Sequence, residues 1–136
     1  MQMEIRVAGQ GELPFLSSRD RHIERGELET LLSLGRVMVA REGGETVGWL
    51  RWNLFWDNTP FLNLLFVLEG RRGRGVGTAL LARWEEQMKG AGHPLVLTST
   101  LSSEGAQHFY RRRGYTDAGA LLLPGEALEI FFVKAI

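Results

Sequence analysis

Apolar residues change their spacing along the chain, and the changes mark elements. Met3 to Val7 alternates and predicts a short first strand. Leu13 to Leu34 has helical spacing in two pieces; Pro14 suits a first turn and Gly26 marks the expected break. Ile23, Leu28, Leu31 and Leu32 would share one apolar face. Arg36 to Arg41 reads as a strand, and Glu42 to Glu45, "EGGE", as a hairpin turn. The next strand, Thr46 to Phe55, has period two. Val47, Trp49, Arg51 and Asn53 face one way; Gly48, Leu50, Trp52 and Leu54 face the other. "WDNTP" predicts the following turn. Phe61 to Leu68 has one polar residue in eight, which predicts a central strand covered on both faces.

The period then switches to that of a helix. Val76, Leu80, Trp84 and Met88 recur every four residues, Ala79 and Leu81 widen the stripe, and Gly90 and Gly92 stop it. Leu95 to Thr98 predicts a strand, and Ser99 to Ser103 a polar loop. A helix is expected from Ser103 to Arg113, with Ser102 or Ser103 as N-cap and Glu104 in its first turn. Arg111 to Arg113 suit the negative end of its dipole, and Gly114 the position just past its end. Tyr115 to Leu123 and Ala127 to Lys134 read as a closing strand pair around "PGE". No repeat or linker interrupts this order, so residues 1–136 are expected to form one mixed α/β domain.

Composition narrows the function. With 44% hydrophobic and 24% charged residues the balance is that of an ordinary globular protein. Formal net charge is zero, which argues against nucleic-acid or membrane-surface partners. There are no cysteines, so disulfides, thiolate metal sites and a Cys nucleophile are excluded. His22, His93 and His108 are scattered without metal-ligand spacing, and no metal is expected. The N-terminal residues have no apolar core with a cleavage site, and no apolar run approaches the ~20 residues of a membrane span. The expectation is a cytoplasmic protein.

The chemistry concentrates in "FVLEGRRGRGVGTALLARWEEQM", Phe66 to Met88. Gly73, Gly75 and Gly77 let backbone approach a ligand, and the helix that follows offers unpaired amides and a positive dipole end. Arg72 and Arg74 add charge. The pattern suits a bound diphosphate. A P-loop would need Lys before its Ser/Thr, and here Gly77 directly precedes Thr78. A dinucleotide fingerprint would need a third Gly where Thr78 stands, and only 59 residues follow Gly77. A tight turn without ligand would leave two arginines crowding an electropositive helix end.

Arg72-x-x-Gly75-x-Gly77 matches the Q/R-x-x-G-x-G/A motif, and the segment around it resembles the strand–loop–helix of the GNAT acetyltransferases. "SEGAQHFYRRRGY" resembles that family's second signature, N-x-x-A-x-x-F-Y-x-x-x-G-F/Y, through Ala106, Phe109, Tyr110, Gly114 and Tyr115; Ser103 replaces the usual Asn. The resemblance implies a mixed, mostly antiparallel sheet of about seven strands, helices on both faces, and a splay between strands four and five. It implies acetyl-coenzyme A as acyl donor. The pyrophosphate would lie on Arg72, Gly73, Arg74, Gly75, Val76, Gly77 and Thr78, and the pantetheine along Leu65, Phe66 and Val67. Phe109 and Ser103 would complete the cofactor site, Ser103 with a shorter reach than Asn.

Acyl transfer needs a neutral amine, donors for a developing oxyanion and a proton for the leaving thiolate. By resemblance Tyr110 is the general acid, and a backbone amide at a bulge in the fourth strand, that of Val67, the oxyanion donor. Asn63 stands where some members carry Glu and cannot act as a base; Glu104, Asp57 and a water relay remain open. The acceptor, a small-molecule or peptide amine, is expected near Trp49, Arg51, Asn53, Trp56 and Asp57, where Arg could bind a carboxylate and the aromatics could stack. His22 could also line that pocket. The rival reading is a non-catalytic acyl-coenzyme A sensor. The chain is expected to act as a monomer or homodimer, its C-terminal "LEIFFVKAI" being an edge strand or a dimer contact.

Overall fold

The structure, a computed structural model, describes residues 2–136. One seven-stranded sheet runs through it in the order β1-β2-β3-β4-β5-β7-β6. Its strands are β1 (Met3–Val7), β2 (Val37–Glu42), β3 (Glu45–Phe55), β4 (Thr59–Val67), β5 (Leu95–Leu101), β6 (Thr116–Leu121) and β7 (Glu129–Ala135). The helices are α1 (Leu13–Arg19), α2 (Arg25–Ser33), α3 (Val76–Gly90) and α4 (Ala106–Arg112), with a 3-10 turn at Gln10–Glu12. All strand pairs are antiparallel except β4–β5, the pair that α3 connects. Helices cover both faces, as the family resemblance implies. Val76, Leu80, Leu81, Trp84 and Met88 of α3 pack with Leu50, Trp52, Val96, Tyr110 and Phe132 on one side. Leu13, Leu16, Leu28, Leu31 and Leu32 pack with Val37, Val39 and Trp49 on the other.

Several boundaries differ from the sequence reading, each for a physical reason. The break between the first two helices falls at Asp20–Glu24, and Gly26 lies inside the first turn of α2. Asp20 ends α1 in an extended conformation, at φ −87° and ψ 103°, and its carboxylate accepts from Arg51 of β3. β5 continues to Leu101, since β7 pairs with it as far as Leu101 opposite Glu129. α4 starts only at Ala106: Gln107 Nε2 donates to the Ser102 and Glu104 carbonyls, and neither Ser102 nor Ser103 caps the helix. β7 is interior, paired with β5 on one side and β6 on the other, so the C-terminal segment is no edge strand. Phe132 at its centre is fully buried.

The decisive feature is where β4 leaves β5. Arg51 stands opposite Leu64 and Trp52 opposite Leu62, so Asn63 is an extra residue on β4. Such a bulge bends its strand and increases its twist. The β4–β5 ladder consists of Phe61 opposite Leu97 and Leu62 opposite Thr98, directly before that bulge. Thr98 Oγ1 donates to the Leu62 carbonyl at 2.9 Å and closes the fork. Beyond it β4 is only half-buried, where the sequence predicts a strand covered on both faces, because its flank faces open space.

Candidate active site

Backbone parity decides which groups face the fork. Leu68 N–H donates to Val47 O at 2.9 Å, toward β3. Hydrogen-bonding directions alternate along a strand, so the backbone of Phe66 also faces β3, where it stands opposite Trp49. The N–H groups of its two neighbours, Leu65 and Val67, therefore point away from β3 into the gap. The expected bulge at Val67 lies instead at Asn63, four positions earlier, but the Val67 amide still borders the gap. With no neighbouring strand, these two N–H groups are free to bond water or a ligand.

At the end of β4 the chain turns through Gly73 and Gly75, at φ 77° and 83°, a region that L side chains rarely adopt. Gly75 caps α3. The first helical bond runs from Ala79 N–H to Gly75 O, so the amides of Val76, Gly77 and Thr78 have no partner within the helix. These amides and the dipole of a 15-residue helix form an anion site. The arginines divide the work around it. Arg71 pairs with Glu42 and Glu45 at 3.3 and 2.9 Å and ties the loop to the β2–β3 hairpin. Arg72 Nε donates to Val67 O at 3.0 Å, and its guanidinium lies over Phe66. Arg74 is exposed and outside the cleft lining.

A cleft of about 520 Å³ joins these parts. Leu65, Phe66, Val67, Arg72, Gly73, Gly75, Val76, Gly77, Thr78, Phe109 and Tyr110 all line it. Ser103 is exposed in the β5–α4 turn and does not. Arg113 lines it too, a residue that sequence reasoning assigned only to the helix dipole. Its guanidinium lies 3.9 Å from the Phe109 ring centroid and donates to Thr78 Oγ1 at 2.6 and 3.1 Å. Stacked and doubly bonded, it is a fixed positive charge beside the α3 amides. Arg113→Ala is expected to weaken coenzyme A binding about tenfold, read by titration calorimetry, with a slighter loss at high salt.

A second cavity of about 800 Å³ opens on the other side of the fork. It shares Leu65, Phe66, Arg72, Ala106 and Tyr110 with the first. His22, Asn63, Thr98, Thr100, Glu104 and Glu129 line this second cavity and not the first. Tyr110 therefore stands where the two spaces meet. Burial pushes its phenol up to about 12, with the Thr98 hydroxyl offsetting part of that rise. Its ring is held by Phe109, Tyr115 and Phe132 at centroid distances of 5.2, 5.4 and 6.2 Å.

The residues expected to receive the acceptor are dispersed. Trp49 is buried between Phe15 and Phe66, at 6.0 and 5.0 Å. Arg51 is buried and holds Asp20, Nε to Oδ2 at 2.7 Å and Nη2 to Oδ1 at 3.3 Å. Asn53 is exposed and accepts from Arg36 at 2.5 Å. Trp56 and Asp57 form the β3–β4 turn, both at positive φ, outside either lining. The His22 N–H donates to Asp20 Oδ1 at 3.2 Å, so the Arg51–Asp20 pair positions the α1–α2 loop at the second cavity. Among the described residues no group of His, Asp and Glu could hold a metal ion, and no helix is long and apolar enough to cross a membrane.

Residues 10–115 match the model of the acetyltransferase (GNAT) family. The chain belongs to that family. It is an acyltransferase, and acetyl-coenzyme A is its acyl donor. Comparison with curated proteins gives no significant match. The fold is similar to that of Ard1 from Thermoplasma volcanium, with TM-score 0.86, 16% identity, and 100% and 99% of the two chains covered. It is similar to a GNAT-family acetyltransferase from Bacillus cereus, with TM-score 0.81, 22% identity, and 99% and 98% covered. N-acetylglutamate synthase from Neisseria gonorrhoeae, complexed with coenzyme A and N-acetyl-glutamate, matches with TM-score 0.83 and 19% identity over 99% of this chain and 35% of that one. The unpaired α3 amides, the open flank of β4 and the cleft joining them fit the anionic and amide parts of the family's donor.

Proposed function

We propose that this GNAT-family protein acetylates a primary amine by direct transfer, with donor and acceptor meeting at Tyr110. The observation that carries this reading is the shared boundary of the two cavities at Leu65, Phe66 and Tyr110, just past the fork between β4 and β5. Acetyl-coenzyme A supplies a thioester-activated acetyl group. The amides of Val76, Gly77 and Thr78, with Arg113, would hold its phosphates, and the Leu65 and Val67 backbone its amide arm. The Val67 N–H serves as a donor for the acyl oxygen as negative charge develops there. Tyr110 holds a proton at Oη throughout the neutral range and is the acid for the leaving sulfur. Glu104 lines the acceptor cavity, whereas Asp57 does not, so Glu104 receives the amine proton in this reading.

Thermal unfolding with coenzyme A, acetyl-coenzyme A, NADH and ATP tests the donor site. Ligand at 100 times its Kd is expected to stabilise the fold by about 2.7 kcal/mol, several degrees at this chain length. Shifts confined to the two coenzyme A species, with thiol release on adding amine, support the proposal; the absence of both sinks it.

A further inference from the structure

We propose that Glu85 is a positioning residue for Tyr110: it anchors Tyr115, and Tyr115 sets where the Tyr110 hydroxyl stands in the cleft. The inference rests on the reading of Tyr110 as the acid. Packing gives α4 little hold of its own. The helix has seven residues, and Tyr110 is its one buried side chain. Helices in proteins are kept in place mainly by the apolar face they bury, so one this short depends on what ties its ends.

The C-terminal end of α4 is tied through both backbone and side chains. The Tyr110 carbonyl accepts from the Arg113 and Tyr115 N–H groups, at 3.0 and 3.1 Å. The Tyr115 ring meets that of Tyr110 edge-on, with centroids 5.4 Å apart. Beyond it, the Tyr115 hydroxyl donates to Glu85 Oε2 at 2.7 Å, and Lys134 Nζ donates to Glu85 Oε1 at 2.8 Å. Both carboxylate oxygens are engaged, one from the turn after α4 and one from β7. Lys134 also lies over the Tyr115 ring at 5.6 Å and against Gly114, where a Cβ would come 3.4 Å from its Cε. Burial first, and then the Glu85 carboxylate, push the Tyr115 phenol up, so it remains a donor through the neutral range. Glu85, Tyr115 and Lys134 line neither cavity, so the cluster can reach the chemistry only through Tyr110 and its helix.

α3 therefore braces α4 at two points. Thr78 receives Arg113 beside the phosphate-side amides, and Glu85 receives Tyr115 two turns later, about 10 Å along the helix. The first strut serves the donor's charge. The second stands behind the acid. Without it α4 can pivot about the first, so that Tyr110 shifts while the anion site stays. Proton transfer requires hydrogen-bond reach, and a displacement of about 1 Å is enough to slow it strongly.

Thiol release from acetyl-coenzyme A with hydroxylamine, an amine small enough for any acceptor cavity, gives kcat for each variant. Glu85→Ala is expected to lower kcat about tenfold, with coenzyme A affinity within about twofold of wild type by calorimetry. Glu85→Gln keeps an oxygen for the Tyr115 hydroxyl and should hold kcat within about threefold of wild type. The cycle with Tyr110→Phe separates positioning from general support. Once the phenol is gone, Glu85→Ala should change kcat by less than about twofold, because a residue acting through that hydroxyl has nothing left to place. Wild-type kcat in Glu85→Ala, equal losses with and without the Tyr110 hydroxyl, or a loss in Glu85→Gln as deep as in Glu85→Ala would overturn the proposal. If Glu85→Ala fails to fold, Tyr115→Phe serves in the same cycle, since it removes the same bond and keeps the ring against Tyr110. Each of those results leaves Tyr110→Phe slow. Tyr110→Phe as fast as wild type, or no thiol release from the wild type, would instead sink the acid reading and this inference with it.

Discussion

Tyr110→Phe is expected to lower kcat by roughly 10²–10³-fold while leaving coenzyme A affinity within about twofold. The phenyl ring keeps its contacts with Phe109, Tyr115 and Phe132, so the wall of the cleft survives. Only the hydroxyl, with its proton and its contact to Thr98, disappears. Single-turnover measurement of thiol release separates this from slow product release, and titration with coenzyme A checks the binding arm. A variant with wild-type kcat would remove Tyr110 from the chemistry and make it a core aromatic. The pH profile adds an independent sign. Burial raises the folded pKa to about 12, above the ordinary tyrosine value of 10. The phenol is protonated in both states below about pH 10, so stability there is independent of it. Between about pH 10 and 12 the unfolded chain ionises while the folded one does not, and about 2–3 kcal/mol of stability is lost. Tyr115, also raised by burial and by its bond to Glu85, acts in the same direction. Tyr110→Phe should therefore lose part of this alkaline destabilisation, and wild-type kcat should show no falling limb from Tyr110 below about pH 11.

What could be read from the sequence is what local chemistry determines. Gly73 and Gly75, followed by an apolar stripe on α3, reveal an anion site without any tertiary information, and both glycines take the left-handed conformation that the turn needs. The alternation of β3 separates Trp49 from Leu50 and Trp52, which pack in opposite layers, but Val47, expected beside Trp49, packs with Leu50 and Trp52 because the β2–β3 register shifts at that point. The acceptor side was not legible, because its residues meet only through the fold. Arg51 looks free for a substrate carboxylate when read along β3, yet Asp20, 31 residues away, holds it. Glu129 reaches the cavity because β7 inserts beside β5 in register with Leu101, a pairing that no local pattern encodes. Arg113 could have been noticed through its position four residues after Phe109, the spacing that stacks neighbours on a helix. The bulge at Asn63 has a weak local sign, a lone polar residue in an apolar strand.

Asp20→Ala should produce the largest loss of stability, about 3–5 kcal/mol, because it leaves the Arg51 charge buried without a partner. Asp20 also accepts from the His22 amide at 3.2 Å and from Trp49 Nε1 at 3.4 Å, so three groups lose their acceptor together. For a chain of 136 residues this corresponds to a fall of about 10–15 °C in Tm, measured by circular dichroism or calorimetry. Replacing both partners, Asp20→Leu with Arg51→Met, removes the charges in balance and should recover most of that loss. The functional consequence should be one-sided. The α1–α2 loop carries His22 to the second cavity, proposed above for the acceptor, while the first cleft, proposed for the donor, is built from β4, α3, α4 and the loops beside them. Below its unfolding range, Asp20→Ala should therefore raise the acceptor KM several-fold and leave coenzyme A binding near wild type. Equal losses on both sides would mean that the pair supports the whole sheet, and a Tm within two or three degrees of wild type would mean that water replaces the missing carboxylate at little cost.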